Sequence, residues 1–193
     1  MRKSQIERNT KETQIALSLN LDGSGKYAVD TGIGFFDHMM TLFACHSGFD
    51  VSVKCNGDVR VDGHHSVEDI GIVLGKAISQ SLGDKVGIKR YASVTIPMDE
   101  SLATVTVDIS GRQFLVFNAD GMTGKVGDFD IELVEEFFRA VANQAGLTLH
   151  INLHYGSNSH HKIEAIFKAF ARALKEATTV VGDKIPSSKG MLE

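Results

Sequence analysis

The sequence contains the same short pattern twice, and this repetition restricts the possible folds more than any other feature. The pattern is two adjacent histidines with a glutamate three residues after the second. Its copies are "DGHHSVED", with His64, His65 and Glu68, and "SNSHHKIEA", with His160, His161 and Glu164. The two copies are separated by an offset of 96 residues (64 to 160). Self-similarity of this kind indicates duplication of one structural unit.

The predicted elements around the two copies follow the same order. In the first half they are a strand over 14–21, a helix over 34–48, strands over 49–55 and 59–62, and a helix over 64–82. In the second half they are strands over 91–98, 102–109 and 113–119, a helix over 130–146, an extended segment over 147–156 and a helix over 160–177. Strands, a helix, strands and a helix therefore occur twice.

Two different offsets align the halves. The motif helices superpose at 96, which also pairs Val51 with Leu147, whereas the preceding helices superpose at 98, pairing Gly48 with Gly146. Both glycines follow the last apolar position of a predicted helix, where glycine commonly ends helices. We therefore expect a two-residue difference in length in the loop after these helices.

Together these patterns predict an α+β fold made of an internally duplicated β-sheet and helix unit. The helices are expected on one face of each sheet, and the halves are expected to be related by a pseudo-twofold axis. The chain has 193 residues, within the usual size of one domain. We predict a single domain of two pseudo-symmetric halves, about 1–86 and 87–193.

Composition excludes several classes of partner. The formal net charge is −4 and no segment is densely basic, so neither a nucleic-acid nor an anionic membrane surface is expected. No run of about 18 apolar residues occurs. Cys45 and Cys55 form no C-x-x-C pair and are predicted to be reduced, buried thiols. These features predict a cytoplasmic protein.

The repeated motif has the chemistry of a metal site. Residues i and i+4 share one face of a helix, so His64 can converge with Glu68, and the second copy can do the same. The second histidine of each copy points about 100° away from the first around the helix axis and can bind another ion. Imidazole and carboxylate ligands without thiolate favour manganese, iron or zinc with open coordination positions.

Two further residues join this prediction through the duplication. The offset of 98 pairs His38 with Glu136, and both side chains can bind a metal ion. Glu135 is the main alternative to Glu136 because it lies in the same acidic run, "ELVEE".

Three other histidines are less informative. His46 lies two turns after His38 and could line the same pocket or be a partly buried structural residue. His150 and His154 fall on a strand face where the offset of 96 gives Lys54 and Asp58 as counterparts, so we predict structural roles for them.

A phosphate-binding set is scattered along the second half. Arg90 and Arg112 lie at predicted strand starts, and the segment "PSSKG" contributes Ser187, Ser188 and Lys189. A guanidinium group, hydroxyls, backbone N–H groups and an ammonium group are what a phosphate pocket needs. The pocket would be complete only if these segments meet, within one chain or across a subunit interface.

Three functions are compatible with the motifs. A non-catalytic metal-binding or metal-buffering protein would need only the histidine motifs, but the phosphate-binding set argues against it. A dinuclear metallohydrolase acting on a phosphorylated compound would need a carboxylate bridging two close ions, whereas the repeat suggests separated, pseudo-equivalent ions. The third is the enzyme class that the whole sequence resembles.

The chain closely resembles the imidazoleglycerol-phosphate dehydratases. The resemblance rests on "RNTKET", "GIGFFDHM", "DGHHSVEDIGI", "IPMDESLA", "DISGR", "NSHHKIEAIFKAFARAL" and "PSSKG". It implies halves like domain 2 of ribosomal protein S5, two Mn²⁺ ions per active site, and a large octahedral homo-oligomer of 24 subunits with sites between subunits.

The resemblance also implies the reaction. D-erythro-imidazole glycerol phosphate, a small phosphorylated imidazole substrate, loses water to give imidazole acetol phosphate in L-histidine biosynthesis. No carbonyl group acidifies the carbon that loses its proton, so the imidazole ring must take up electrons, and metal coordination to its nitrogens would stabilise an imidazolate. The imidazolate would push out the hydroxyl on the carbon attached to the ring, and a carboxylate base would then take the proton from the following carbon, giving an enol that becomes the ketone.

The motifs and the resemblance together assign the site residues. The predicted metal ligands are His38, His64, His65, Glu68, Glu136, His160, His161 and Glu164. The predicted catalytic residues are Glu12 as the base, His46, Glu68 and Glu164. The predicted substrate contacts are Glu12, Arg90, Arg112, Lys168, Ser188 and Lys189. One residue departs from the family pattern: many members carry histidine where this chain has Glu136, so we expect a carboxylate ligand there.

Overall fold

A computed structural model describes residues 2–192 and has the predicted α+β architecture. The first half contains β1 (Lys3–Asn9), β2 (Thr13–Asn20), β3 (Tyr27–Asp30), α1 (Gly34–Ser47), β4 (Asp50–Gly57) and α2 (His64–Leu82). The second contains β5 (Tyr91–Met98), β6 (Ser101–Asp108), β7 (Phe114–Asn118), β8 (Lys125–Val126), β9 (Phe129–Asp130), α3 (Leu133–Ala145), β10 (Thr148–Tyr155) and α4 (Ser159–Ala177).

The two main sheets have the same topology, as duplication requires. Their strand orders are β1-β2-β4-β3 and β5-β6-β10-β7. In each sheet the first three strands of that order are antiparallel and the last pair is parallel. The short hairpin β8–β9 is an insertion in the second half.

Strand pairing identifies a third offset between the halves. Lys3 pairs with Asn20 in the first sheet, and Tyr91 pairs with Asp108 in the second. The first two strands of each half therefore correspond at an offset of 88 (3 to 91, and 20 to 108). The offset increases from 88 to 98 at the next helix because the second half contains additional residues there, which include β8 and β9.

Pairing also corrects the predicted alignment of the next strand. Val51 pairs with Leu19, and Leu149 pairs with Val107, so β4 and β10 correspond at 98 (51 to 149) and not at 96. The two-residue difference lies after these strands: six residues, 58–63, separate β4 from His64, whereas four, 156–159, separate β10 from His160. The predicted difference directly after α1 and α3 was wrong.

Other boundaries differ from the sequence-based expectation. Residues 59–62 form no strand but part of the turn-rich loop before α2, and the third helix begins at Leu133 because β9 occupies Phe129–Asp130. Strands β1 and β3 were not predicted. The helix ends at Gly48 and Gly146 are confirmed: both glycines have positive φ, 70° and 64°.

The four helices cover one face of each sheet and pack on one another. α2 lies on β1 and β2, α4 lies on β5 and β6, and the helices of different halves pair as α2 with α3 and α1 with α4. Phenylalanines pack between the helices: Phe43 of α1 stacks on Phe170 of α4 at 5.7 Å, and Phe137 of α3 stacks on Phe167 of α4 at 5.4 Å between ring centroids. The packing of helices across the two halves thus brings α1, which carries His38, beside α4.

The prediction that both cysteines are buried is confirmed for one of them and wrong for the other. Cys55 is buried, as predicted, but Cys45 is exposed because it lies on the outward side of α1. Among residues 2–192, no helix is both long and apolar enough to cross a membrane.

Candidate metal centre and anion pocket

Helices α1 and α4 bring three potential metal ligands together. Nε2 of His38 lies 3.3 Å from Oε2 of Glu164, and Nε2 of His160 lies 3.1 Å from the same oxygen. One ligand atom from each of these residues lies within 4.8 Å of the others. Two imidazoles and a carboxylate form a donor set for a borderline divalent ion such as manganese, iron or zinc.

The local sequence places this cluster at the start of α4. Asn158 caps the helix, since its Oδ1 accepts hydrogen bonds from the backbone N–H groups of His160 and His161 at 2.9 and 3.3 Å. One turn later, Glu164 faces His160 through the i, i+4 relation. The ring of Phe35 packs edge-on against His160, with ring centroids 5.1 Å apart.

Glu164 is buried yet remains suited to binding a cation. Burial alone would raise the pKa of this carboxyl, but the ammonium of Lys168, 2.5 Å from Oε1, and the hydrogen bonds to His38 and His160 outweigh it. Its pKa therefore lies below the ordinary value. Lys168 thus adjoins the candidate metal site formed by His38, His160 and Glu164, which we call the metal cluster. Its Nζ also lies 3.5 Å from Sδ of Met98.

The pseudo-equivalent residues of the other half are less closely gathered. Nε2 of His64 lies 3.7 Å from Oε2 of Glu68, and Glu136 is half-buried on α3, the helix that packs against α2. The described part of the chain holds no close three-ligand set that includes these residues. Glu135, the alternative to Glu136, forms an ion pair with Arg139 on the helix surface.

The second histidine of each motif is hydrogen-bonded to a carboxylate from a loop. Nδ1 of His65 lies 3.0 Å from Oδ2 of Asp58, and Nδ1 of His161 lies 2.7 Å from Oε2 of Glu100. Each hydrogen bond raises the pKa of its histidine. Sequence reasoning did not single out Asp58 or Glu100, because both partners lie outside the helices that carry the motifs.

Glu12 lies in the turn between β1 and β2 and faces the first motif. Its side chain is 56% exposed, and its Oε1 is 3.9 Å from Nε2 of His65. The turn is fixed by the hydroxyl of Thr10, which accepts the Glu12 N–H at 3.1 Å, and by the Asp58 N–H, which donates to the Glu12 carbonyl at 3.1 Å. A carboxylate is thereby held beside a potential metal ligand while staying open to solvent.

The segments predicted to bind phosphate do meet within one chain. Arg90, Arg112, Ser188 and Lys189 line a cavity of about 400 Å³. Ser110, Ser187 and Tyr91 also line it and were not among the assigned substrate contacts. Four donor-bearing side chains around one cavity form a pocket suited to an anion.

Arg90 is already engaged on one side of this pocket. Its Nε and Nη2 donate to the carboxylate of Asp108 at 2.7 and 3.2 Å, and its Nη1 donates to the carbonyl of Pro186 at 2.8 Å. The hydrogen bond to Asp108 raises the pKa of Arg90. Its backbone adopts φ of 75°, a left-handed conformation that is uncommon for a side chain of this size.

The metal cluster and the anion pocket lie at opposite ends of α4. His160 is in the first turn, whereas the Arg90 N–H donates to the carbonyl of Ala177, the last helical residue. From Glu164 to Ala177 the helix rises about 20 Å, at 1.5 Å per residue. The two sites are thus separated along the length of this helix.

His46 lies near the metal cluster but is not one of its three close ligands. It lines a cavity of about 590 Å³ with Arg172 and Lys175. Burial, followed by the nearby cations Lys168 and Arg172, lowers the pKa of His46. The environment of His46 therefore disfavours its charged form.

His150 and His154 lie on the outer face of β10, and Nε2 of His154 is 2.7 Å from the hydroxyl of Thr104. The pairing makes Ser52 the counterpart of His150, whereas His154 lies at a β-bulge between Leu153 and Tyr155 and has no paired counterpart, so the counterparts predicted from the offset of 96 were wrong.

Comparisons with known proteins identify one family. A family model described as imidazoleglycerol-phosphate dehydratase matches residues 31–174. A protein of that name from Clostridioides difficile (strain 630) is 59% identical over 192 residues, which cover 100% of both chains. One from Thermodesulfovibrio yellowstonii is 53% identical and also covers 100% of both chains.

Solved structures show the same fold. The crystal structure of imidazoleglycerol-phosphate dehydratase from Staphylococcus aureus subsp. aureus N315 superposes with a TM-score of 0.85 at 49% identity, covering 93% of this chain and 99% of that one. The Pyrococcus furiosus protein, in complex with (S)-C348, gives 0.85 at 34% identity, covering 97% and 100%.

Proposed function

The chain belongs to the imidazoleglycerol-phosphate dehydratase family, and we propose that it removes water from D-erythro-imidazole glycerol phosphate to give imidazole acetol phosphate. The observation that carries this proposal is the full-length similarity at 59% identity. The enzyme is then a hydro-lyase of L-histidine biosynthesis, and we assign it to the cytoplasm.

The histidine and glutamate side chains fit a divalent metal ion, for which we propose Mn²⁺, two per active site. His38, His160 and Glu164 would hold one ion through two imidazole nitrogens and a buried, ionised carboxylate. His64, Glu68 and Glu136 are the pseudo-equivalent set, and His65 and His161 present further imidazoles. A bound ion would supply Lewis acidity at the imidazole ring of the substrate.

Glu12 would act as the general base. Its exposed carboxylate, 3.9 Å from Nε2 of His65, would take the proton from the carbon next to the one that loses its hydroxyl. The fixed turn around Glu12 keeps this oxygen beside the metal-binding residues. Glu68 and Glu164 would support the reaction as ligands, and His46 would relay a proton.

The anion pocket would bind the phosphate of the substrate. Arg112, Ser188 and Lys189 offer a guanidinium, a hydroxyl and an ammonium group around one cavity, and Arg90 is held there by Asp108. Charged donors of this kind form the strongest hydrogen bonds to phosphate oxygens. Lys168, which lies at the metal cluster, would contact the substrate from that side.

The separation of the two sites supports a subunit interface. Because about 20 Å of helix lies between Glu164 and the end of α4 at the anion pocket, we propose that the phosphate of a bound substrate rests in the pocket of another subunit. We therefore propose a homo-oligomer with shared active sites, for which the family suggests 24 subunits in octahedral arrangement.

The direct test is an assay of the Mn²⁺-loaded protein with imidazole glycerol phosphate. Formation of the ketone product supports the dehydratase, whereas release of free phosphate alone would indicate a metallohydrolase. Bound Mn²⁺ without either reaction would leave only a metal-binding protein. Sedimentation of the loaded protein tests the oligomer.

The unusual carboxylate at position 136 has its own test. Measuring the Mn²⁺ content and affinity of E136A and of the matched variant E135A separates the two candidates. A lower content in E136A alone supports Glu136 as a ligand. Wild-type content and affinity in E136A would refute that assignment.

A further inference from the structure

The turn between β5 and β6 contains the duplicate of Glu12. The offset of 88 that relates the paired strands places Glu12 on Glu100 and Thr13 on Ser101. Thr13 begins β2 and Ser101 begins β6, so the two glutamates occupy the same place in equivalent hairpins. The residue proposed as the base therefore has a copy in the second half.

The two copies make different contacts. Glu12 is mostly exposed, and its nearest motif atom is Nε2 of His65 at 3.9 Å. Glu100 uses both carboxylate oxygens: Oε1 accepts the backbone N–H groups of Ser157 and Asn158 at 3.0 and 2.7 Å, and Oε2 accepts Nδ1–H of His161 at 2.7 Å. Glu12 is thus available to a substrate, whereas Glu100 is committed to the protein.

Loop length explains this division. In the first half, the six-residue loop 58–63 supplies Asp58, whose carboxylate accepts Nδ1–H of His65 at 3.0 Å. The corresponding loop 156–158 has the sequence Gly-Ser-Asn and contains no carboxylate. Glu100 fills that role in the second half, reaching across from the neighbouring hairpin.

We infer that Glu100 is a positioning residue that sets the tautomer of His161 and fixes the start of α4. Accepting Nδ1–H leaves the lone pair on Nε2, the atom free to bind a metal ion. The same carboxylate anchors Asn158, the residue that caps α4 and so places both histidines of the motif. The inference rests on the proposed function in one respect, that His161 binds metal.

The two oxygens of Glu100 make the substitution E100Q informative. A glutamine side chain has only one acceptor oxygen, and the backbone N–H groups of Ser157 and Asn158 require it. Its amide NH₂ would then face Nδ1 of His161, which must become the acceptor. The proton would move to Nε2. Nε2 could then bind a metal ion only after giving up that proton.

The first test is the tautomer of His161 in the full-length, metal-free protein. Magic-angle-spinning NMR of ¹⁵N-histidine-labelled protein at alkaline pH, with the signal assigned by its loss in H161Q, distinguishes the two neutral forms. We expect Nδ1–H in the wild type and Nε2–H in E100Q. The control D99N should keep Nδ1–H, because Asp99 lies 3.7 Å from Nε2 and not at Nδ1.

Nε2–H in the wild type would overturn the inference, even if E100Q failed to fold. Nδ1–H in a folded E100Q would also overturn it. None of these readouts needs catalytic turnover, so an inactive wild-type protein would refute the proposed reaction without affecting this result.

The second test is titration with Mn²⁺ alone. Loss of a residue that orients a metal-binding histidine lowers metal affinity about 10- to 100-fold, and we expect that loss in E100Q but not in D99N. A reversed tautomer with wild-type Mn²⁺ affinity would show that Nε2 of His161 does not bind the ion, and the positioning role would fall with it.

Discussion

Replacing Gly75 by alanine should force α2 and α3 apart. Gly75 lies on α2 against α3, and a Cβ atom there would be 2.7 Å from the carbonyl oxygen of Val141 and 2.7 Å from Cβ of Gln144. Gly71, one turn earlier, is similarly close to the carbonyl oxygen of Phe137, at 2.8 Å. The obstructing atoms belong to the backbone or lie next to it, so they cannot rotate away.

The size of the effect follows from these distances. Carbon atoms pack best at about 3.5–4.0 Å, so the helices must separate by roughly 1 Å, which forfeits a quarter to a half of the attraction of each affected contact. Overpacking of this kind costs about 1–3 kcal/mol. The higher helix propensity of alanine returns about 1 kcal/mol. With two atoms at 2.7 Å the upper part of the overpacking range applies, about 2–3 kcal/mol. The net loss is then about 1–2 kcal/mol, or roughly 2–8 °C in Tm for a chain of this size.

Denaturant unfolding of G75A and of the control G34A at one protein concentration measures the difference. Gly34 begins α1, and a Cβ atom there would have no neighbour within 4 Å, so G34A should not destabilise the protein. The shift of α2 should also weaken Mn²⁺ binding, because that helix carries the first motif. A G75A protein as stable as the wild type would refute the packing argument.

Three further outcomes are expected. E12Q should lower kcat about 10²- to 10⁴-fold, the usual contribution of a general base, with unchanged Mn²⁺ content by metal analysis. R112Q should raise KM about 10- to 100-fold in steady-state assays, since a charged hydrogen bond contributes about 1.5–3 kcal/mol. D50N should lower the free energy of unfolding at neutral pH. It should also make that free energy fall less between neutral and acidic pH, as measured by urea unfolding at several pH values. Backbone N–H groups of Ser24 and Lys26 lower the pKa of Asp50 from 3.8 to about 2, so its stabilisation is complete above 3.8 and is lost as the pH falls towards 2.

Each of these expectations can fail separately. Normal turnover by E12Q would remove Glu12 from the reaction, and an unchanged KM in R112Q would place the phosphate elsewhere. Parallel stability curves for D50N and the wild type between neutral pH and pH 2 would show that the ionised carboxylate of Asp50 contributes nothing to folding.

The helices and their ends were predictable because they depend on nearby residues. Apolar spacing correctly indicated α2 and α4, and Gly48 and Gly146 end their helices in the left-handed conformation that glycine adopts without steric cost. Strand β1, "KSQIERN", lacked this local signal, since it is an edge strand with mostly polar residues. Only its pairing with β2 identifies it.

The alignment of β4 with β10 shows where a local pattern stops being informative. Val51 and both of its candidate counterparts, Leu147 and Leu149, are buried. Because side chains alternate with a period of two residues, an error of two leaves the burial pattern unchanged. Hydrogen-bonded pairing with β2 and β6 selects Leu149.

The sequence by itself determined the duplicated motif, the family and the types of residue that the site contains, because short spacings on a helix place side chains without help from the rest of the fold. The tertiary structure decided which of them meet. His38 joins His160 and Glu164 because α1 packs on α4 across the halves, and Glu100 reaches His161 from another hairpin. Such neighbours depend on the packing of distant segments, which spacing along the chain does not encode.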